Sequence, residues 1–478
     1  MTFRHGVYTS EVETALQTAP AVDSALPYVV GASVNAFGPA VVSSWRQFVS
    51  LSGITEGVHD VPGDDGWHSH SLVSFAYFWF RIAGRGDCIL CGIQSADGSL
   101  TQTSVINALD GIDTIYERTR RLPSLVLVPY FGTVAAVWMA MKAKAELYGG
   151  RFKALAIGDI QSSENGFSGG TLDIIDDPGD VAEEKTVTSA YLALMWPYIG
   201  VGDMRFDAST AVCAVMNRVD GQNGGLPFVS PSNKNSYATG VYVLPEATIE
   251  KSLSGCKIDS STGTSIVVDA DGTAVSIGVD IDGATASSPE NPAAEFEVSG
   301  GKWITASVIA TSPFTFDVSY QGRVEAPLYQ SRDEVNSSLG TNGIVGFLNT
   351  ADGWAIWGNN TTAFPGSTDV KDYMISIRRM FNFTQNAFQV FAQPRIDNPL
   401  NRRQLEGVVN AFNQVLASYQ GFGALNSASV SLDDERNTTE QLIRGVVYFR
   451  IRIAPPPPMQ EINGVFEFDV PGFEASLA

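Results

Sequence analysis

Reactive side chains are scarce in this 478-residue chain, which has four cysteines and four histidines. Cys88, Cys91, Cys213 and Cys256 are too few and too scattered to frame a disulfide scaffold in a chain this long. Charge is also in short supply. Asp, Glu, Lys and Arg make up 17% of the residues, against roughly 25% in an average soluble protein. Two readings follow: much of the surface is covered by partners, or it is an ordinary polar surface rich in Ser, Thr and Asn. Positive charge is the scarcer sign, with 30 Lys and Arg against 51 Asp and Glu and a net charge of −21. That balance repels phosphate backbones and anionic membrane surfaces, which argues against direct nucleic-acid binding. No long apolar run is present either. The uncharged stretch 123–141 is interrupted by Pro129 and Gly132 and followed by Lys142, Lys144 and Glu146. A strand over 125–128 entering a helix over 133–148 accounts for it better than a membrane span. The N-terminus has no apolar core of signal-peptide length, so synthesis and assembly in a reducing cytoplasm is expected.

Apolar residues are plentiful at 44%, enough for several cores, and the length suits three or four domains. The pattern predicts an α/β and α+β multidomain chain. Residues 1–22 read as an extended arm and 23–100 as the N-terminal part of the core, with strand signals at 28–31 and 88–92. Residues 101–245 alternate strand and helix: strands at 125–128, 153–157 and 212–216, helices near 133–148 and 186–195. Such alternation predicts an α/β layer with a partly parallel sheet. Over 246–326 Leu almost vanishes while Ser, Thr, Val and Asp-Gly pairs dominate. Short strands near 265–269, 274–280, 294–298, 303–309 and 314–320 predict an inserted β-sandwich module. Residues 327–458 return to α/β. Val370, Tyr373, Met374, Ile377, Phe381, Phe388 and Phe391 form one helix face, and Leu405, Val408, Val409, Phe412, Val415, Leu416 and Tyr419 form a second. A strand with Val446, Tyr448, Ile451 and Ile453 is ended by four prolines at 455–458. Residues 459–478 form a C-terminal arm in which Ile462, Val465, Phe466, Phe468 and Val470 can build a strand with no local partner.

Each chemical motif is incomplete. Gly166-Phe167-Ser168-Gly169-Gly170 fits G-x-S-x-G, but polar loop precedes it, no helix follows, and every histidine comes earlier in the chain. His59, His68 and His70 sit in an Asp-rich polar stretch that could ligate a metal or be plain loop. Cys88 and Cys91 lie in an apolar strand, whereas a redox pair would open a helix and a zinc site would need a second pair. Asp269-x-Asp271-Gly272 and Asp280-x-Asp282-Gly283 suit hairpin turns better than calcium loops, whose later ligands are missing. No phosphate-binding glycine loop is present. Between Lys371 and Arg403 there are six basic and two acidic residues, including Arg378-Arg379 and Arg402-Arg403. Without an aromatic platform, these suit a solvated helix face or a protein contact. No catalytic, cofactor-binding or metal residue is assigned, and no cofactor is expected.

The two ends and the C-terminal third carry a resemblance. Phe3-Arg4-His5-Gly6-Val7-Tyr8-Thr9-Ser10-Glu11 resembles the opening of contractile-tail sheath proteins of bacteriophages and related injection machines. Pro231-Ser232-Asn233-Lys234 resembles the family's P-S-N motif. Val335-Asn336, Gly343-Ile344-Val345 and Trp357-Gly358-Asn359-Asn360-Thr361 resemble its N-x-L-N…G-I segment and W-G-N-R-T motif, with Asn360 where arginine is usual. Ile377-Arg378-Arg379, Gly445-Val446 through Phe449, the prolines and Glu461-Ile462 resemble its paired-arginine helix and closing strands. The likeness is looser over 40–220 and absent from the β insert.

This resemblance implies a sheath-type C-terminal α/β domain and a non-enzymatic subunit. Such subunits polymerise as stacked, hexameric rings around an inner tail tube protein, between a baseplate and a tail terminator, and contract to drive the tube through a cell envelope. The implied place is a virion tail or phage-like particle assembled in the host bacterial cytoplasm, without direct nucleic-acid contact or membrane insertion. Val7, Tyr8 and Thr9, with Ile462, Val465, Phe466 and Phe468, would add strands to neighbouring subunits. Arg378 and Arg379, in the one positive segment, are the expected tube-facing residues. The competing expectation is a secreted or metal-dependent hydrolase with a β accessory module, using His59, His68 and His70.

Overall fold

The computed structural model describes residues 22–54, 71–94, 101–160, 185–202, 204–242, 257–259, 266–268, 295–298, 302–305, 332 and 335–470. In chain order the main elements begin with β1 (Pro27–Ser33), β2 (Phe37–Val42), α1 (Trp45–Ser52), α2 (Ser71–Tyr77), β3 (Cys88–Gln94), α3 (Gln102–Leu109), β4 (Leu125–Leu127), α4 (Ala135–Glu146) and β5 (Leu155–Asp159). Then come β6 (Leu192–Met195), β7 (Tyr198–Val201), β8 (Met204–Phe206), α5 (Ala208–Gln222) and β9 (Gly240–Tyr242). Four short strands follow: β10 (Lys257–Asp259), β11 (Ile266–Val268), β12 (Glu295–Val298) and β13 (Lys302–Thr305). The chain continues with β14 (Ile344–Thr350), β15 (Gly353–Trp357), α6 (Ile375–Ala392), α7 (Arg402–Gly421), β16 (Ser427–Leu432) and β17 (Phe449–Ala454).

Eight strands form one sheet in the order β15-β14-β6-β5-β4-β1-β3-β2. The six inner strands run parallel, and β2 and β15 close the edges antiparallel. Helices cover both faces, so the inner strands are buried on both sides and read as continuous apolar runs. Tyr28, Val30, Ile89, Val126 and Leu194 pack with α3 and α4 on one face. Val29, Leu90, Leu127, Ile157 and Met195 pack with α1, α2 and α5 on the other. Cys88 and Cys91, three apart on β3, fall on opposite faces and are both buried and free. The strand reading of this pair holds. A third core joins α6, α7, β16 and β17 around Met380, Phe383, Phe412, Leu416 and Val430.

The fold corrects several expectations. Residues 212–216 belong to α5, not to a strand. An unbroken apolar run has no periodicity to separate a buried helix from a buried strand. The expected helix near 186–195 is instead β6, whose four residues are all buried between β5 and β14. Its Leu and Ala favour helix, and tertiary pairing overrides that preference. The boundaries expected at 100/101 and 326/327 cut through one sheet, because strands on both sides of each pair within it. In the insert, β10–β11 and β12–β13 are antiparallel hairpins. The strands expected at 274–280 and 314–320 lie outside the described residues. Among the described residues no helix is long and apolar enough to cross a membrane.

Candidate assembly site

The motifs scattered along the sequence converge on one seam. The Asn233 amide donates to the Ile356 carbonyl at 2.6 Å, and the Ile356 amide donates back to Lys234 at 3.0 Å. The Gly358 amide donates to Ser232 Oγ at 3.0 Å. The Pro-Ser-Asn-Lys segment therefore lies along β15, the sheet's outer strand. Trp357 Nε1 donates to Asn336 Oδ1 at 2.8 Å, tying in the segment before β14. Beyond Trp357, the Thr361 amide donates to Tyr373 at 2.7 Å and the Ile375 amide to Asn359 at 2.9 Å, which anchors the start of α6. Gly343 has φ +71, and a Cβ there would stand 2.8 Å from the carbonyls of Thr361 and Phe364. Only glycine fits that bend without displacement. Asn360 Oδ1 is buried without a hydrogen-bond partner.

From this seam α6 leads to the C-terminal unit. β16 and β17 pair antiparallel from Ser427↔Ala454 to Leu432↔Phe449. Ala428, Val430, Phe449, Ile451 and Ile453 point to the α6–α7 core. Ser427, Ser429, Ser431, Arg450 and Arg452 fall on the opposite face. Among the described residues this sheet has two strands; Asn413 of α7 occupies the outer backbone of β16 at Val430, and β17 has no strand on its outer edge. Phe449, Ile451 and Ile453 are half-buried. A two-stranded ribbon is marginal by itself and its edges are templates for another strand. The 2.9 and 3.2 Å bonds between Asn413 and the Val430 backbone hold it to α7. After Ala454, residues 455–469 form neither helix nor strand. Ile462, Val465, Phe466 and Phe468 are 81%, 86%, 98% and 76% exposed. A large apolar patch left in water marks a surface for a partner.

No family model matches the chain. Over 144 residues it is 27% identical to a tail sheath protein of Burkholderia phage BcepMu, covering 29% of this chain and 30% of that protein. Over 112 residues it is 25% identical to a putative prophage major tail sheath protein of Pseudomonas aeruginosa (strain UCBPP-PA14), covering 23% and 28%. These alignments thus span less than a third of the curated relatives' length. Among solved structures, a chain of the anti-feeding prophage baseplate, 6-fold symmetrised, superposes with TM-score 0.57 at 17% identity, covering 98% of this chain and 100% of that one. A chain of that particle's helical sheath in the contracted state gives 0.56 at 16%, covering 98% and 100%. The sheath complex of an extracellular contractile injection system, in the contracted state, gives 0.56 at 15%, covering 99% of each chain. This chain has the contractile-sheath fold.

Within the sheath fold, Arg378 and Arg379 are not where the sequence reading put them. They are 4% and 3% exposed, so they form no solvated basic face. Arg378 donates to the Lys371 carbonyl at 2.8 Å and to Tyr191 Oη at 2.9 Å, and lies over the Tyr191 ring. Arg379 pairs with buried Asp220 and donates to the Ser24 carbonyl at 3.1 Å. Their charges are satisfied inside the chain, which removes them as tube-facing candidates. Beside them, Asn382 donates to the Ala154 carbonyl, and Asn386 bonds both the amide and the carbonyl of Lys153. One flank of the sheath fold's α6 is thus a polar seam to the sheet layer, and sequence reading missed it. The signal was present as Arg, Arg, Asn and Asn at 378, 379, 382 and 386, a helical spacing. Val7, Tyr8, Thr9, His59, His68, His70 and the 166–170 motif lie outside the described residues. Among the described residues no group of three or more His, Cys, Asp or Glu could hold a metal.

Proposed function

We propose that this chain is the structural subunit of a contractile tail sheath, polymerising as stacked rings around an inner tube and contracting to drive that tube through a cell envelope. The observation that carries this reading is the presence in one chain of an exposed, strand-patterned arm and of a two-stranded sheet whose β17 edge has no strand beside it among the described residues. Ile462, Val465, Phe466 and Phe468 add a strand to a neighbour's C-terminal sheet, and Val7, Tyr8 and Thr9 of the N-terminal arm do the same elsewhere in the lattice. Backbone hydrogen bonds supply the affinity and alternate side chains the register. The rings are hexameric, and the ends of the sheath meet a baseplate and a tail terminator. Residues 246–326 decorate the surface away from the interfaces. Assembly takes place in the host bacterial cytoplasm. Work comes from interfaces with two stable arrangements, held in the longer one by a kinetic barrier, and not from catalysis. The sheath and tail proteins matched above lend a hydrolase no support.

Electron microscopy of the purified chain at rising concentration tests this reading. Rings or striated hollow tubes are expected. Uniform monomers at every concentration, with a preassembled inner tube also present, contradict it.

A further inference from the structure

Four Asn-Gly pairs occur in the sequence, beginning at Asn165, Asn223, Asn342 and Asn463. Asparagine before glycine can be attacked by its own backbone. The glycine nitrogen gives its proton to water and adds to the asparagine Cγ. The Cγ–Nδ2 bond breaks, ammonia leaves and a cyclic imide remains. Water then opens the imide at either carbonyl, giving aspartate or an isoaspartyl link that runs through the side chain. Glycine favours the attack because it has no Cβ to obstruct it and its backbone turns freely. The reaction needs an asparagine that can rotate and a glycine amide free of hydrogen bonds.

The fold takes that freedom from two of the pairs. The Gly343 amide donates to the Gly340 carbonyl at 3.1 Å, and Gly343 is wedged against the carbonyls of Thr361 and Phe364. Asn223 Nδ2 donates to the Val219 carbonyl at 2.7 Å, while its backbone amide and carbonyl bond Asp220 and Leu226. Phe422 packs beside Gly224. Asn463-Gly464 differs on each count. Both residues are exposed, and neither lies in a helix or strand. Among the described residues the Gly464 amide has no acceptor. The Asn463 side chain donates at 3.0 Å to Glu461, itself exposed, and nothing packs it in place. Asn165-Gly166 lies outside the described residues.

We propose that Asn463-Gly464 is a site of spontaneous self-modification that ages the unassembled chain. Both products add a carboxylate to a segment that already holds Glu461, Glu467 and Asp469. The isoaspartyl product also inserts an extra main-chain carbon. That carbon displaces residues 465–470 against 455–462, so the arm's side chains fall out of step with a partner strand. Backbone held extended by a strand ladder cannot close the imide, so a chain already in polymer is spared. This loss of step and the shelter of the polymer rest on the arm-exchange reading above.

The full chain, kept dilute and unassembled, is incubated at neutral and at alkaline pH, digested, and its peptides are resolved by mass spectrometry. Conversion is expected at Asn463 ahead of Asn223 and Asn342, and faster at alkaline pH, where the Gly464 amide loses its proton more readily. Asn463→Gln, whose longer side chain would have to close a larger ring, loses the conversion. No conversion at Asn463, or equal conversion at all three pairs, overturns the site. Fresh and aged chains are then compared by sedimentation at rising concentration. The aged wild type is expected to lose polymer, while aged Asn463→Gln keeps it. If Asn463 has converted and the aged wild type still assembles like the fresh chain, the ageing role is overturned. If a chain truncated after Pro458 also assembles normally, it is the arm-exchange reading that fails.

Discussion

Arg379 and Asp220 form an ion pair with side chains 3% and 1% exposed, 159 residues apart in sequence. Burial pushes the Asp220 carboxyl up, and the neighbouring guanidinium pulls it back down. A pair so desolvated gains little net stability, but removing one partner strands the other charge. Arg379→Met alone is expected to destabilise by roughly 3–5 kcal/mol, and Arg379→Met with Asp220→Leu to recover most of that. Denaturant melts of both variants check this, and equal losses in the single and double variants contradict it. The partners of Arg379 explain why its role was hidden. Adjacent arginines in a locally basic segment read as a solvated face, and nothing near them in sequence reveals Asp220 or the Ser24 carbonyl. The alternation of Phe466 and Phe468 with acidic residues is visible in the sequence, and both side chains are exposed in the structure.

Among elements, the junction between β5 and α5 holds a second buried carboxyl group. Asp159 ends β5, and its carboxylate accepts from the Ser209 amide at 2.8 Å and from Ser209 Oγ at 2.5 Å, at the start of α5. Burial first, and Asp207 second, push the Asp159 carboxyl well above the usual carboxylate range. Between the unfolded and the raised folded value, the folded state therefore binds more protons than the unfolded state. Stability from this site is greatest at low pH and falls as pH rises from about 4 toward the raised value, by at most about 1.4 kcal/mol per unit. Asp159→Asn removes that slope, so the variant gains on the wild type as pH rises through the window. Melts from pH 4 to 8 check it, and parallel curves for the two chains contradict it. The sequence showed β1, β3, β4, β5, α4, α6 and α7 near their true places, because each carries a clean period or a buried β-rich run. It failed at β6 and α5, where Leu-Ala and Ala-Val-Cys runs are compatible with either state. The shared sheet was also hidden, because β14 reaches β6 across about 150 residues of intervening chain.

At the scale of the whole molecule, the chain divides its work between a closed and an open part. The eight-stranded sheet is covered on both faces and capped by antiparallel edges, which leaves the described core no edge of the inner parallel strands to offer. The C-terminal unit is the reverse: among the described residues it has two strands, no strand beyond the β17 edge, and an exposed apolar arm. A polar seam along α6, built from Arg378, Arg379, Asn382 and Asn386, fixes one part against the other. Buried hydrogen bonds of this kind allow few alternative registers, so the open unit is presented at a set angle. The net charge of −21 makes copies of the chain repel one another. The measurement that tests this account most directly is electron microscopy of the full chain and of the chain ending at Pro458, side by side with a preassembled inner tube. The account predicts regular striated sheaths from the full chain and none from the truncated one. Indistinguishable sheaths from both chains would contradict it.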